Sequence, residues 1–330
     1  MSILAPFPYF GGKYLSSELV WSLLGATENY VEPFAGSLAV LLQRPNPTGP
    51  ETVNDYDAMI CNVWRALAYD PDAVAYHADW PCNETDLHAR HMWLVHNRDR
   101  IKAGLDSPEW YDAKAAGWWI WGACNWIGHG FTGGSGPWVL HEGRIVDSRQ
   151  LPHLGDAGQG INRQLPHLGN AGRGINRKLP HLGAGRSEFI LGWFNALHAR
   201  LRDVRVTCGD WSRVLTDSVT TRHGLTAVFL DPPYEQGNMD YGAGGMNLGI
   251  AAKVRDWCAA NGDNQKLRIV LCGHAGEHDS LIAKGWTVHR WTARKGYAAT
   301  DEAKERSASE AVWSSPNCIG GANDMPLFAT

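Results

Sequence analysis

Asp231-Pro232-Pro233-Tyr234 is the most specific chemical feature of the chain, and it follows an apolar run, Ala227 to Leu230, that reads as a strand. An exocyclic amine on a nucleobase is a poor nucleophile, because its lone pair is delocalised into the ring. A carboxylate and a backbone carbonyl placed together can accept its two N–H bonds and help to localise that pair. Asp231 would be the first acceptor and the Pro232 carbonyl the second. The consecutive prolines Pro232 and Pro233 stiffen the loop and keep that carbonyl out of any strand ladder. Tyr234 would stack on the flat ring, which must leave its duplex to reach the site. A strand-ending turn built by ordinary Asp-Pro chemistry would use the same residues.

Other residues suited to chemistry lie at the ends of further strand-like runs. Glu32-Pro33-Phe34-Ala35-Gly36-Ser37 stands between Tyr30-Val31 and Leu38 to Leu42, which reads as strand, tight glycine turn, helix. Asp55 closes Glu51 to Asp55, about 20 residues beyond the turn, the distance at which a carboxylate accepts ribose hydroxyls. An Asp before the helical spacing of Ile60, Val63, Trp64 and Leu67 could equally cap that helix. Asp210 and Trp211 follow the run Asp203 to Thr207, and Gly11-Gly12-Lys13 precedes a helix candidate near the N-terminus.

These pieces require a framework of strands and helices. Runs at 203–207, 227–230, 267–271 and 286–291, with a helix candidate at 250–260, resume the alternation seen in the first 70 residues. The fold class expected is α/β, a doubly wound and mostly parallel sheet with ligands at the carboxyl ends of its strands. One domain is assigned to 1–74 and 188–330, interrupted by an insert at 75–187.

The insert differs in composition. It holds the tryptophans 110, 118, 119, 121, 126 and 138, of which 118, 119, 121 and 126 read as a helical core. A glycine-rich stretch follows, with a 14-residue period beginning at Arg149, Arg163 and Arg177, so that repeats occupy 149–186. Its repeated His153, His167 and His181 stand apart beside prolines and read as turn or surface residues rather than metal ligands. The whole chain has 330 residues and a formal net charge of −4, which does not advertise nucleic acid. Between Arg144 and Arg186, however, seven Lys/Arg face two Asp, a local balance of +5. The seven cysteines are scattered and never spaced CxxC, which argues against a disulfide framework and a zinc site. No apolar stretch reaches the roughly 20 residues of a membrane span. The N-terminus lacks the pattern of a signal peptide, so a cytoplasmic location is expected.

In combination these motifs resemble the Dam-like, alpha-group N6-adenine DNA methyltransferases that use S-adenosylmethionine, particularly their phage and prophage relatives. The matching positions run from Pro8 to about Leu67 and from about Val204 to Cys318. The resemblance implies a class I methyltransferase fold with a target-recognition insert, S-adenosylmethionine as cofactor and duplex DNA as partner, without metal. It implies that Tyr9 and Lys13, in Pro8-Tyr9-Phe10-Gly11-Gly12-Lys13, border the methyl donor, with Lys13 facing its carboxylate. Glu32, Pro33, Phe34 and Gly36 form the donor-binding turn, with Ser37-Leu38 where many relatives have a second glycine. Asp55 takes the ribose, Asp210 the adenine amino group of the donor, and Trp211 flanks that ring. Asp231, Pro232, Pro233 and Tyr234 are the catalytic set, acting on a flipped adenine.

The DNA-binding residues implied are Asn125, in the place of a base-reading hairpin, Arg149, Arg163, Arg177 and Lys178 in the repeats, and Arg294 and Lys295 in a basic loop. The repeats fit a solvated loop array equally well. The arginine signature of GATC recognition is not visible. Relatives acting on cytosine N4 usually carry Ser where Asp231 stands, and protein methyltransferases usually carry Asn. An RNA amino-methyltransferase, or a DNA-binding regulator without catalysis, would be built on the same framework. The segment Glu310 to Cys318 reads as a closing strand.

Overall fold

The computed structural model describes residues 3–9, 13–81, 83–126, 131–132, 138–141, 144–147, 186–234, 249–290 and 310–319. Helix α1 (Ser17–Leu24) leads into strand β1 (Asn29–Glu32), the short helix α2 (Ala39–Leu42) and strand β2 (Glu51–Asp55). The helices α3 (Ala58–Tyr69), α4 (Pro71–Ala78), α5 (Glu84–His96), α6 (Arg98–Gly104) and α7 (Ala113–Asn125) follow, and then a hairpin of β3 (Trp138–His141) and β4 (Arg144–Asp147). Helix α8 (Arg186–Leu201) returns the chain to β5 (Val204–Cys208) and β6 (Thr226–Leu230). The last described elements are α9 (Ile250–Asn261), β7 (Leu267–His274), β8 (Thr287–Arg290) and β9 (Glu310–Ser314).

Among the described residues, seven strands form one mixed sheet in the order β5-β2-β1-β6-β7-β9-β8. The first five are parallel, and β9 runs antiparallel to both β7 and β8. By order along the chain this is the doubly wound sequence 3-2-1-4-5, extended by a late antiparallel strand wedged inside the sixth. The closing strand expected from Glu310 onward is therefore an interior strand, and the runs expected at 203–207 and 286–291 are strands at 204–208 and 287–290.

Apolar residues fill β6 after Thr226 and bury that strand on both faces, the mark of a central parallel strand. Alternation sends Tyr30, Ala227, Phe229, Val270, Cys272 and Val312 into one core. Val31, Val228, Leu230, Ile269, Leu271 and Trp313 point into the other.

Helix starts are fixed by side chains that accept from orphan backbone N–H groups: Asp57 for α3, Asp70 before Pro71 for α4, Asn83 for α5 and Asp112 for α7. The expected domain boundary at 74/75 falls inside α4, because Asp70 and Pro71 start a helix there. Leu87, Leu94, Ile101, Trp119, Ile120, Trp121 and Trp126 join the same core as Tyr30, Leu41 and Trp64. The helical part of the insert is thus continuous with the sheet's own core. Trp119, Trp121 and Trp126 are buried as a helical core requires, while Trp118 is half-buried.

Candidate functional site

The strand order reverses between β1 and β6, which are neighbours in the sheet although nearly 200 residues separate them. In doubly wound sheets ligands bind outside the carboxyl ends of the strands at such a switch point. Glu32 to Gly36 leaves the end of β1 there, and Asp231 to Tyr234 leaves the end of β6.

Asp231 is the centre of a charged cluster. Its Oδ2 lies 3.1 Å from Lys13 Nζ, and its Oδ1 accepts from the Tyr234 hydroxyl at 3.2 Å. Lys13 is 5% exposed, and its Nζ also lies 3.8 Å from Glu310 Oε1 and 5.3 Å from the centre of the Tyr234 ring. Burial raises the Asp231 carboxyl above its usual range, while Lys13 and the Tyr234 hydroxyl pull it back. Burial pulls the Lys13 ammonium down, but Asp231 and Glu310 outweigh it and raise the net value. Lys13 therefore stays charged. Among the described residues the carboxylate nearest to Lys13 is Asp231, a buried cation against a partly exposed anion.

Two residues of this cluster, His274 and Glu310, are not among the expected site residues. Glu310 opens β9 and stands directly opposite His274, the last residue of β7. His274 packs edge-on to Tyr234 with ring centres 4.6 Å apart. Burial raises the Glu310 carboxyl, with Lys13 opposing. Only the β7–β9 pairing register places them beside Asp231, so no local signal announces either one.

The turn after β1 is tied from several sides. Gly36 donates its N–H to Asp55 Oδ2 at 2.8 Å, and its carbonyl accepts from Trp64 Nε1 at 2.8 Å. Its φ is +44°, and a Cβ there would meet the Tyr9 ring at 2.5 Å, so glycine lets Tyr9 lie directly on the turn. Where a second glycine was expected, Leu38 itself adopts a left-handed conformation, φ 53°, with its side chain fully buried. Asn54 draws the turn toward β5: Nδ2 donates to the carbonyls of Pro33 at 3.1 Å and Gly209 at 2.9 Å, and Oδ1 accepts from Thr207 Oγ1. Sequence reasoning missed this residue, although its place before Asp55 at a strand end was visible.

Glu32 is 2% exposed and lies beneath the turn, where Oε2 accepts from the Tyr30 hydroxyl at 2.9 Å. Burial above all pushes its carboxyl up to about 8. Glu32 ties β1 to α2 through the Leu41 backbone. Asp55 does not cap α3, which Asp57 does through Met59 N–H. Its oxygens accept instead from Gly36 and Asp57 N–H, and burial raises it to about 6. Asp210 Oδ1 accepts from Ser212 N–H at 2.9 Å and Ser212 Oγ at 2.5 Å, bonds that lower its carboxyl. Trp211 stacks on Phe34, centroids 6.1 Å apart and planes 23° apart. Tyr9, Phe34, Gly36, Asp55, Asp210 and Trp211 are thus gathered along the ends of β1, β2 and β5.

Of the DNA-binding candidates, Asn125 is 2% exposed and donates Nδ2 to the Trp121 carbonyl at 2.6 Å. The side chain is thus turned inward against α7 rather than out to solvent. Arg149, Arg163, Arg177, Lys178, Arg294 and Lys295, together with Gly11, Gly12 and the repeat histidines, lie outside the described residues. Three insert tryptophans surround Arg90, whose guanidinium lies 4.2 Å from the Trp121 ring centre and 5.3 Å from those of Trp80 and Trp118.

Among the described residues no group of three or more His, Cys, Asp or Glu is arranged to hold a metal ion, and no helix is long and apolar enough to cross a membrane. No protein-family model matches the chain, and no curated protein is significantly similar to it.

Proposed function

We propose that the chain is an S-adenosylmethionine-dependent methyltransferase acting on adenine N6 in duplex DNA, with a class I methyltransferase fold and its target base flipped into the Asp231 to Tyr234 pocket. The observation that carries the reading is Asp231 at the switch point, 3.1 Å from a buried lysine and bonded to Tyr234, one strand away from a glycine turn under an aromatic ring.

The residues along β1, β2 and β5 fit such a donor. Gly36 has no Cβ, so a ligand can approach the turn backbone closely. Asp55 and Asp210 each accept backbone N–H bonds, yet every carboxylate oxygen has a second lone pair for a ribose hydroxyl or an amino group. Phe34 and Trp211 supply an aromatic wall for a purine. When bound, the donor supplies an activated methyl group on a sulfonium.

The chain's own residues supply orientation and hydrogen bonding. Lys13 favours the ionised form of Asp231, so a full carboxylate accepts one N6–H bond while the Pro232 carbonyl accepts the other. Tyr234 restrains Asp231 through its hydroxyl and offers its ring to the extruded base. The Asp231 carboxyl, raised by burial, could hold the proton that N6 would lose on methylation. Positioning of two reactants in a water-poor crevice accounts for the rate without a covalent intermediate. The +5 segment at 144–186 would contact phosphates of the substrate.

Labelled methyl incorporation into adenine-containing duplex, with single-stranded DNA, cytosine-only duplex, RNA and protein as parallel acceptors, tests the reading. Label in N6-methyladenine of the duplex is expected. Asp231→Ala should lower turnover by about 100-fold or more while donor affinity is retained. Undiminished turnover in that variant would falsify the mechanism, and label confined to another acceptor would replace the substrate.

A further inference from the structure

Two cysteines that the proposed chemistry does not use meet at the sheet end that carries Asp55. Cys61 is buried on α3, and its Sγ lies 3.5 Å from the Asp55 carbonyl and 3.4 Å from the Thr207 carbonyl. Cys208, which follows Thr207 and ends β5, stands opposite Asp55 in the β2–β5 ladder. Its Sγ lies 4.0 Å from the Tyr56 carbonyl. The side chain of β5's last residue is thus turned toward the turn that enters α3, and the Cys61 thiol on α3 lies against the carbonyl of Thr207, the residue just before Cys208. They are unlike in setting: Cys61 is buried, whereas Cys208 is partly exposed.

We propose that Cys61 and Cys208 are a peroxide-responsive thiol pair that closes to a reversible disulfide. The partly exposed Cys208 is the attacking thiol. The neighbouring Cys61 thiol lowers its pKa and Lys102 adds to the lowering, while burial and the carboxylates of Asp55 and Asp57 oppose it. Its thiolate displaces hydroxide from hydrogen peroxide, forming an S–O bond as the O–O bond breaks, and becomes a sulfenic acid. The Cys61 sulfur then attacks the Cys208 sulfur, the S–S bond forms, the S–O bond breaks, and water leaves with the Cys61 proton. In sum two thiols are oxidised by two electrons and one peroxide is reduced to two waters. Disulfides that come and go inside cells are typically of this sensing kind.

The linkage has a local consequence. Once the thiol proton is gone, Cys61 can no longer donate to the Asp55 and Thr207 carbonyls. Drawing Cys208 onto α3 also tugs on Gly209, whose N–H donates to the Asp55 carbonyl at 2.9 Å, and on Asp210 beyond it. Donor binding at Asp55 and Asp210 should weaken, and this second effect rests on the function proposed above.

Full-length protein treated briefly with hydrogen peroxide should lose two hydrogens from its intact mass. Digestion without reductant should yield one cross-linked peptide pair joining Cys61 to Cys208, cleaved by dithiothreitol. Cys208 should be attacked by peroxide roughly tenfold or more faster than Cys258 or Cys272, whose burial keeps them protonated. Cys61→Ser should divert Cys208 to stable sulfenic or sulfinic acid, and Cys208→Ser should leave Cys61 a thiol. The proposal is overturned if Cys208 over-oxidises in the wild type while Cys61 remains reduced, or if neither reacts under conditions that oxidise other cysteines. Titration of S-adenosylmethionine into reduced and oxidised protein separates the two claims. A disulfide that forms without changing donor affinity removes the donor role of Asp55 and Asp210 and leaves the thiol pair standing.

Discussion

Lys13 shows how one buried cation sets the behaviour of the groups around it. It faces Asp231 at 3.1 Å and Glu310 at 3.8 Å, and it is the largest influence lowering either carboxyl against burial. In Lys13→Met both carboxyls should therefore titrate higher. Methyl transfer at neutral pH should drop, with the acid limb of the kcat profile displaced to higher pH and partial recovery in alkaline buffer; an undisplaced limb would remove Lys13 from the control of Asp231. Glu32 makes a complementary case for stability. Its carboxyl titrates near 8 in the fold against an ordinary 4.5, so between those values the folded state holds a proton that the unfolded state has lost. Its contribution to stability consequently falls as pH rises from about 4.5 to about 8. Glu32→Gln keeps an acceptor for the Tyr30 hydroxyl and cannot ionise, so thermal melts across that window should be flatter than in the wild type. Asp55, raised to about 6, acts in the same direction and leaves a residual slope.

At the scale of elements, the turn from β1 into α2 concentrates the unusual backbone. Gly36 and Leu38 both have positive φ within three residues, and Tyr9 closes on the first of them. Gly36→Ala should cost about 1 kcal/mol or more from the left-handed backbone alone, with a further loss from collision with the Tyr9 ring, as read by urea unfolding. Tyr9→Ala in the same chain should return the collision part and leave the backbone part. The helix that brings the chain back from the insert is fastened nearby. Glu51 Oε1 accepts from Arg44 at 3.0 Å and from Arg200 at 2.8 Å, and Oε2 accepts from Arg200 at 2.6 Å, which joins the loop after α2 to β2 and α8. Glu51→Ala would leave the buried Arg44 guanidinium and the partly exposed Arg200 without their carboxylate, for which about 3 kcal/mol of lost stability is expected. Strand identities were legible because apolar runs such as Ala227 to Leu230 bury both faces. The position of β9 was not, because antiparallel insertion between β7 and β8 depends on long-range pairing rather than on the composition of Glu310 to Ser314.

For the molecule as a whole, the division at 74/75 follows a genuine change in composition but not a change in packing. Trp119, Trp121 and Trp126 share a core with Trp64 and Tyr30, so tryptophan fluorescence and far-ultraviolet dichroism should unfold in one coincident urea transition. Two separated transitions would restore an independent insert. Charge is distributed just as unevenly along the chain: net −4 overall, +5 between Arg144 and Arg186. If that segment grips duplex DNA, replacing Arg149, Arg163, Arg177 and Lys178 by Ala should reduce the slope of log affinity against log salt by about 3 to 4, near 0.9 for each phosphate no longer neutralised. An unchanged slope would make the repeats a solvated array.

Local sequence determined the parts that local physics controls. Alternating and continuous apolar runs specified the strands, glycine and proline marked the turns, and Asp231-Pro232-Pro233-Tyr234 announced a carboxylate and a carbonyl at a strand end. Asp55 could be placed at the end of β2, but that the cap of α3 falls to Asp57 while Asp55 holds the Gly36 turn required the fold. Tertiary structure alone decided that Asn125 points inward, that Lys13 faces Asp231, that Glu310 and His274 complete the cluster, and that Cys61 meets Cys208. The last three bring together residues far apart in the chain, and a meeting of that kind is fixed by strand order and register, which no window of neighbouring residues contains.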